Sequence, residues 1–286
     1  SGDGAKRARL LELLPGCSAV DHLDQIPPSA DLVVAAGPPG YNLEAYRRAE
    51  EIGAASFIEK PLHPQWPCDQ PKGILHIGFN LAFASPIERL KLLETTSARI
   101  IYLSITYNTN KPRSKVWGLD STAASFMYSV ACHPLHLAAS IFEFQDVRSS
   151  SLIAVGEDVF LNASLHRRDG TPCVVRGHNR ATGLEFVIEA HFEDGRRVTL
   201  TNLRNWRTST LKADKDEASG RRAESQSASS AFNLSEDVTG FHGQFRDIAS
   251  RIREGAGSNQ AVDVTAARKT NDIIHNILSQ AKLDDF

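Results

Sequence analysis

One stretch narrows the fold more than any other. Leu32-Val33-Val34-Ala35-Ala36 is a short apolar run closed off by Gly37-Pro38-Pro39-Gly40, the pattern of a buried parallel strand ending in a turn. A helical pattern follows from Leu43 to Ile52, with Leu43, Tyr46 and Ala49 on one face, and it stops at Gly53. Ser56-Phe57-Ile58 is a second apolar run that leads directly into Glu59-Lys60-Pro61. Strand, helix and strand in so few residues make a βαβ unit, whose crossover is right-handed and whose ligands sit at the carboxyl ends of its strands. Ahead of it, Ser1-Gly2-Asp3-Gly4 is turn chemistry, and Ala5 to Leu14 reads as a helix ended by Pro15-Gly16.

Beyond Pro61 the pattern changes. Ile74 to Phe79 reads as a strand and Pro86 to Leu93 as a helix with Ile87, Leu90 and Leu93 in phase. β-rich runs follow at Ala98 to Thr106, Val147 to Val155, Cys173 to His178, Leu184 to Phe192 and Arg197 to Leu203. Glu193-Asp194-Gly195 makes a hairpin turn between the last two. Phe126 to Phe142 is expected to be a buried helix, and the polar, Ser-rich stretch from Arg207 to Asp237 a long surface loop. Phe241 to Arg253 and Thr265 to Lys282 are two closing helices. The order is α/β first, then an open, mostly antiparallel sheet with helices on one face.

Composition excludes several classes. Hydrophobic residues at 41% and charged residues at 23% are those of a soluble globular protein, and a formal net charge of −2 offers no field for nucleic acid or anionic lipid. No apolar run reaches the length of a membrane span and no signal peptide is recognised, so a cytoplasmic protein is expected. Cys17, Cys68, Cys132 and Cys173 form no CxxC pair, which argues against a structural zinc and a disulfide framework.

Glu59-Lys60-Pro61-Leu62 after a strand, Gly78-Phe79-Asn80 then Pro86, and His133-Pro134-Leu135-His136 on a helix fall in one order along the chain. In that order they resemble the signatures of the Gfo/Idh/MocA oxidoreductase family. The resemblance implies an abbreviated Rossmann-like domain over 1–75, whose first strand would lie ahead of Ser1. It also implies an α+β domain over 76–286 with a large open sheet, its closing helices at 241–253 and 265–282 packed back on the first domain. Three departures from the family pattern stand out. The first strand and first motif glycine are not in the sequence. The stretch from Gly16 to Asp31 is too short for a full strand, helix and approach to the next strand, with only Asp21 or Asp24 to stand for a ribose-binding carboxylate. Ser129 stands where an aspartate is usual, with Leu81 where an arginine is.

The resemblance also implies roles. Lys60 would lie beside the substrate oxygen and His133 would act as its acid/base partner, the two facing one cleft between the domains with pKa values near the working pH. The alternative for Lys60 is a solvated lysine. For His133 and His136, one helical turn apart, it is a pair of core histidines. A zinc site on that pair is rejected for want of further ligands. Gly2, Asp3, Gly4, Ala5 and Arg7 would cradle a diphosphate at a helix N-terminus, or simply start a helix. Gly37, Pro38 and Pro39 would lie against the nicotinamide ribose, with Glu59 and Lys60 lining the cofactor side and Glu59 serving as a structural partner. Asn80, Tyr128, Ser129 and His136 are the expected substrate contacts, although Asn80 could equally cap its own loop. Lys111, Arg113 and Arg204 are anion contacts if the substrate is charged, and otherwise solvated.

The expected function is an NAD- or NADP-dependent transfer of hydride to or from a small polar metabolite: a sugar, cyclitol or nucleotide sugar. The alternative is a divergent protein with no dinucleotide, acting as a ligand-binding or regulatory protein or a non-redox enzyme. A homo-oligomer is expected through the exposed face of the large sheet, on the ground that such a face is apolar.

Overall fold

The computed structural model describes residues 20–63, 66, 71, 73–142, 144–212, 223–232, 236–254 and 260–281, together with 8, 9, 12 and 13, which are helical. Three parallel strands, β1 (Leu32–Ala35), β2 (Ala55–Ile58) and β3 (Leu75–Ile77), lie in the order β1-β2-β3. Every residue of β2 and β3 is buried, as expected for strands covered on both faces. Helix α1 (Pro39–Ile52) is the crossover between β1 and β2, with Leu43, Ala45, Tyr46 and Ala49 on its buried side. A 3-10 turn at Asn80–Phe83 and helix α2 (Ser85–Thr96) then lead into the second sheet.

That sheet has eight strands: β4 (Ile100–Asn108), β5 (Phe144–Val155), β6 (Asp158–Arg167), β7 (Pro172–His178), β8 (Glu185–Phe192), β9 (Arg196–Thr201), β10 (Asn205–Lys212) and β11 (Ala223–Ala231). Their order is β11-β10-β9-β8-β4-β7-β6-β5, antiparallel throughout except where β4 runs parallel to β7. Leu103, Ile105, Leu161, Val175, Phe186, Ile188 and Leu200 point to one buried face. Each buried side chain of this size contributes on the order of 1.5–3 kcal/mol, so a one-residue slip would expose the row and is excluded. The covering helix is built of α3 (Thr122–Phe126), a π-helical stretch (Met127–Ala131) and α4 (Cys132–Ile141).

Three expectations are corrected here. The stretch from Arg207 to Asp237 is no long loop: β10 and β11 pair antiparallel at the sheet's edge. Small hydroxyl side chains hid a strand that backbone pairing, rather than apolar contrast, holds in place. Strand β6 was not anticipated, although Val159, Leu161, Ala163 and Leu165 alternate with polar neighbours. The outward face of the sheet is mixed rather than apolar. It carries Ser104, Thr106, Arg176, Glu189, His191 and Thr199 beside Tyr102, Val174 and Val187, none of them fully buried, and Ile101 on β4 and Ile153, Val155 and Phe160 at the β5–β6 tip are exposed.

Helices α5 (Phe241–Glu254) and α6 (Gln260–Gln280) touch the small sheet and its loops. Gln244 Nε2 donates to Ile77 O (3.1 Å), Phe245 stacks on Phe57, and Asn271 Nδ2 donates to Leu62 O (2.9 Å). The entry to α5 is held by Asp237, whose carboxylate accepts from Gly240 N (2.8 Å) and Gly243 N (2.6 Å). Asp237→Ala should therefore lower stability by about 1–2 kcal/mol, the range for loss of a helix-start cap. Asp237→Asn, with one acceptor oxygen in place of two, should lose part of it, as read from denaturant midpoints, and an Asp237→Ala variant as stable as the unaltered chain would count against the capping role.

Candidate functional site

The carboxyl ends of β1 and β2 are fastened together by one buried amide. Asn42, on the first turns of α1, accepts Gly37 N–H at its Oδ1 (2.8 Å) and donates from Nδ2 to Glu59 O (3.1 Å). It thereby ties the loop after β1 to the loop after β2. Gly37 lies so close to Tyr41 that an added Cβ would meet its ring at 2.6 Å. The Glu59 carboxyl rests against Gly78, where a Cβ would come within 3.0 Å of it. Burial raises the Glu59 pKa, and the neighbouring Lys60 charge offsets part of that. Asn42 was missed in the sequence; the available signal was a polar residue on the buried face of α1.

Lys60 leaves this junction and reaches the second sheet's helix, where its Nζ donates to Ser129 O at 2.9 Å. The helix is irregular at this point. Its π-helical stretch is followed by Pro134, which has no N–H to give to the turn before it, and Lys60 donates to one of that turn's carbonyls. Single π turns of this kind recur at functional sites. His133 follows Ser129 by one turn and is half-buried, its Nδ1 sealed from solvent with no partner. Burial, the Lys60 charge and His136 together hold His133 well below the usual imidazole range. The expectation of a histidine titrating near the working pH is thus corrected: His133 is a neutral imidazole.

The other expected residues are distributed around this point. His136 is buried and lies flat on Phe79, with ring centroids 3.8 Å apart. Burial, Lys91 and His76 push its pKa down to about 3, so it too is neutral. The Asn80 amide donates to Thr239 O (2.8 Å), which ties its loop to the entry of α5. Tyr128 is buried, and burial raises its hydroxyl's pKa. The Ser129 hydroxyl donates back to Ser125 O, leaving the Ser129 carbonyl to meet Lys60. Tyr107, not singled out in the sequence, stacks beside His133, and burial pushes its hydroxyl up to about 12. Gly2, Asp3, Gly4, Ala5 and Arg7 lie outside the described residues.

The two neutral histidines have a measurable consequence. Both bind a proton less readily in the folded chain than in the unfolded one. As the pH falls below about 6.5 the unfolded chain takes up protons first, and stability falls with it. The melting temperature should drop between about pH 7 and about pH 5, and a His133→Asn, His136→Asn double variant should drop less. An unchanged slope in that variant would remove the histidines as the cause.

The nicotinamide half of a dinucleotide site fits these residues. Pro38 and Pro39 have no N–H, and that of Gly37 is taken by Asn42. The loop after β1 therefore offers a smooth apolar surface to a ring rather than donors to a phosphate. Among the described residues no group of three or more His, Cys, Asp or Glu is placed to hold a metal, and no helix is long and apolar enough to cross a membrane.

The sequence matches no protein-family model and no curated protein sequence. Solved structures do match the fold. A dehydrogenase from Chromobacterium violaceum is 24% identical, with a TM-score of 0.80 over 96% of this chain and 84% of that one. A UDP-N-acetylglucosamine 3-dehydrogenase from Acidithiobacillus ferrooxidans is 16% identical, with a TM-score of 0.73 over 98% of this chain and 87% of that one. GenD2 from gentamicin A biosynthesis, in complex with NAD, is 15% identical, with a TM-score of 0.71 over 97% and 85%. At these identities the likeness establishes a shared fold.

Proposed function

We propose that this chain is a nicotinamide-dependent oxidoreductase of the Gfo/Idh/MocA kind, acting on a small polar metabolite such as a sugar, cyclitol or nucleotide sugar. The observation that carries the reading is the hydrogen bond from Lys60 Nζ to Ser129 O, which brings an ammonium from the first sheet to the turn before a neutral His133. The shared fold with dehydrogenases, one of them bound to NAD, supports it. The loop Gly37 to Pro39, with Glu59 and Lys60, would hold NAD or NADP, which supplies the hydride acceptor or donor when bound.

The chain's own residues would manage the proton. In the oxidative direction the substrate hydroxyl releases its proton to the neutral imidazole of His133, while Lys60 Nζ keeps a hydrogen bond on the oxygen as negative charge develops there. Asn42 holds the Glu59–Lys60 backbone against the loop that faces the ring. Tyr107 and Tyr128, neutral at physiological pH, serve as hydroxyl partners for the substrate. A second copy of the chain would pair through the large sheet's outward face by polar contacts.

Titration of the full chain with NADH and NADPH, followed by calorimetry, tests the reading directly. Saturable binding of either is expected, and the absence of both overturns it. A divergent protein with no dinucleotide is the second reading, favoured by one observation. Asp24 lies exposed in a 3-10 turn at Leu23–Gln25 rather than at the end of a strand.

A further inference from the structure

A proline stands inside the helix that covers the large sheet. Pro134 is buried in α4, with α3 and the π-helical stretch before it and α4 running on to Ile141 after it. A proline at a helix start costs little, but here the residues ahead of it are already helical: Ala131 has a φ of −65° and Cys132 a φ of −57°. Within a helix the ring presses on the carbonyl four residues earlier, that of Val130, and one N–H is withheld. The chain meets this misfit by widening. Met127–Ala131 is π-helical, one of the identifiable ways in which a helix departs from regularity.

The widened turn changes which donors face which carbonyls. Cys132 N–H reaches Met127 O, five residues back instead of four. In that five-residue register the donor facing Ser129 O is residue 134, and a proline has no N–H. A partly buried carbonyl without a donor is unfavourable, so the acceptor is open to a group from outside the helix. Lys60 Nζ supplies the hydrogen bond at 2.9 Å. The Ser129 hydroxyl does not compete, because it is turned back to Ser125 O.

The contact matters because of what a lysine is. Its ammonium rides on a flexible four-carbon stem and samples many positions unless an acceptor holds it. Ser129 O holds it on the turn before His133, in the chain with nothing bound. A charge fixed in place ahead of the reaction stabilises a developing oxyanion without reorganisation.

We propose that Pro134 is a positioning residue for Lys60. By withholding an N–H at the place where the π register would use one, it keeps Ser129 O open as the acceptor that fixes the ammonium. Pro134 acts through Lys60 and needs no contact of its own with substrate or cofactor. The consequence for turnover rests on the oxidoreductase reading, while the placement of Lys60 is a property of the chain alone.

Pro134→Ala and Pro134→Val both return the N–H and bracket the volume of proline, so a change common to the two reports the donor rather than the packing. In each, the new N–H should take Ser129 O and release Lys60. The Lys60 charge is one of the causes holding His133 low, so His133 should become easier to protonate, as followed by NMR titration of the full chain without ligand. In a Lys60→Ala background the same substitutions should move the His133 titration no further, since a coupling that runs through Lys60 vanishes with it. On any member of a sugar and cyclitol panel that the unaltered chain turns over with NAD(P)H, kcat should fall by about tenfold to a hundredfold and KM change by less than about threefold, the pattern of a misplaced catalytic group. An unchanged His133 titration in both single variants overturns the proposal, and so does an equal displacement with and without Lys60. Unaltered kcat alongside a displaced titration overturns the positioning role in the reaction. Calorimetry with NADH decides the oxidoreductase reading separately: a chain that binds none loses that reading, and the His133 titrations still decide whether Pro134 holds Lys60.

Discussion

Lys60→Ala should reduce nicotinamide-dependent turnover to background while leaving the protein folded. Among the described residues, the lysine's ammonium is the one cationic group that the loop after β2 sends to the turn before His133, and water in its place carries neither the charge nor the fixed position. His133→Ala should lose less, on the order of 10² to 10⁴, the range for a general acid or base. Folding should survive Lys60→Ala because the lost hydrogen bond to Ser129 O is worth only about 1 kcal/mol. A second readout needs no substrate. The Lys60 charge is the second-largest cause holding His133 below its usual range, so the imidazole should become easier to protonate in Lys60→Ala, as followed by NMR titration. Turnover within tenfold of the unaltered chain, measured by NAD(P)H absorbance over a panel of sugars and cyclitols, would remove Lys60 from the chemistry. An unchanged His133 titration would show that the two side chains do not share one site.

Gly240→Ala should be the most damaging glycine-to-alanine change among the described residues. Gly240 has a φ of 81°, and a Cβ there would lie 1.9 Å from Asn80 O and 2.7 Å from Ala84 N. Both obstacles are backbone, so no side chain can swing aside. The loop holding them is tied on both sides, by Asn80 Nδ2 to Thr239 O and by Ser85 N to Asp237 O. A loss above about 4 kcal/mol is expected, in the range where one substitution signals a specific steric fault. Gly40→Ala is the internal control, since a Cβ there meets nothing within 4 Å; it should leave stability nearly unchanged. Similar unfolding midpoints for the two variants would mean that the junction between Asn80 and α5 can open without cost.

Sequence alone determined the βαβ start, because β1, α1 and β2 are local patterns: apolar runs closed by Gly-Pro-Pro and by Gly53, with an amphipathic helix between them. The strands of the large sheet that alternate clearly, such as β8 and β9, were equally legible. Strands β10 and β11 were not, since Ser and Thr carry little apolar contrast and their state depends on backbone partners far from them in the chain. The site divides in the same way. Lys60 and His133 stand in recognisable strings, but nothing in those strings says that Lys60 would meet Ser129 O across 69 residues of separation. The neutrality of His133 and His136 was also beyond reach, because a pKa is set by desolvation and by charges that only the folded chain brings near. The partners of Asn42 and Asn179 were beyond reach for the same reason. An asparagine reads as a turn residue until the tertiary structure buries it and gives each arm of its amide a partner.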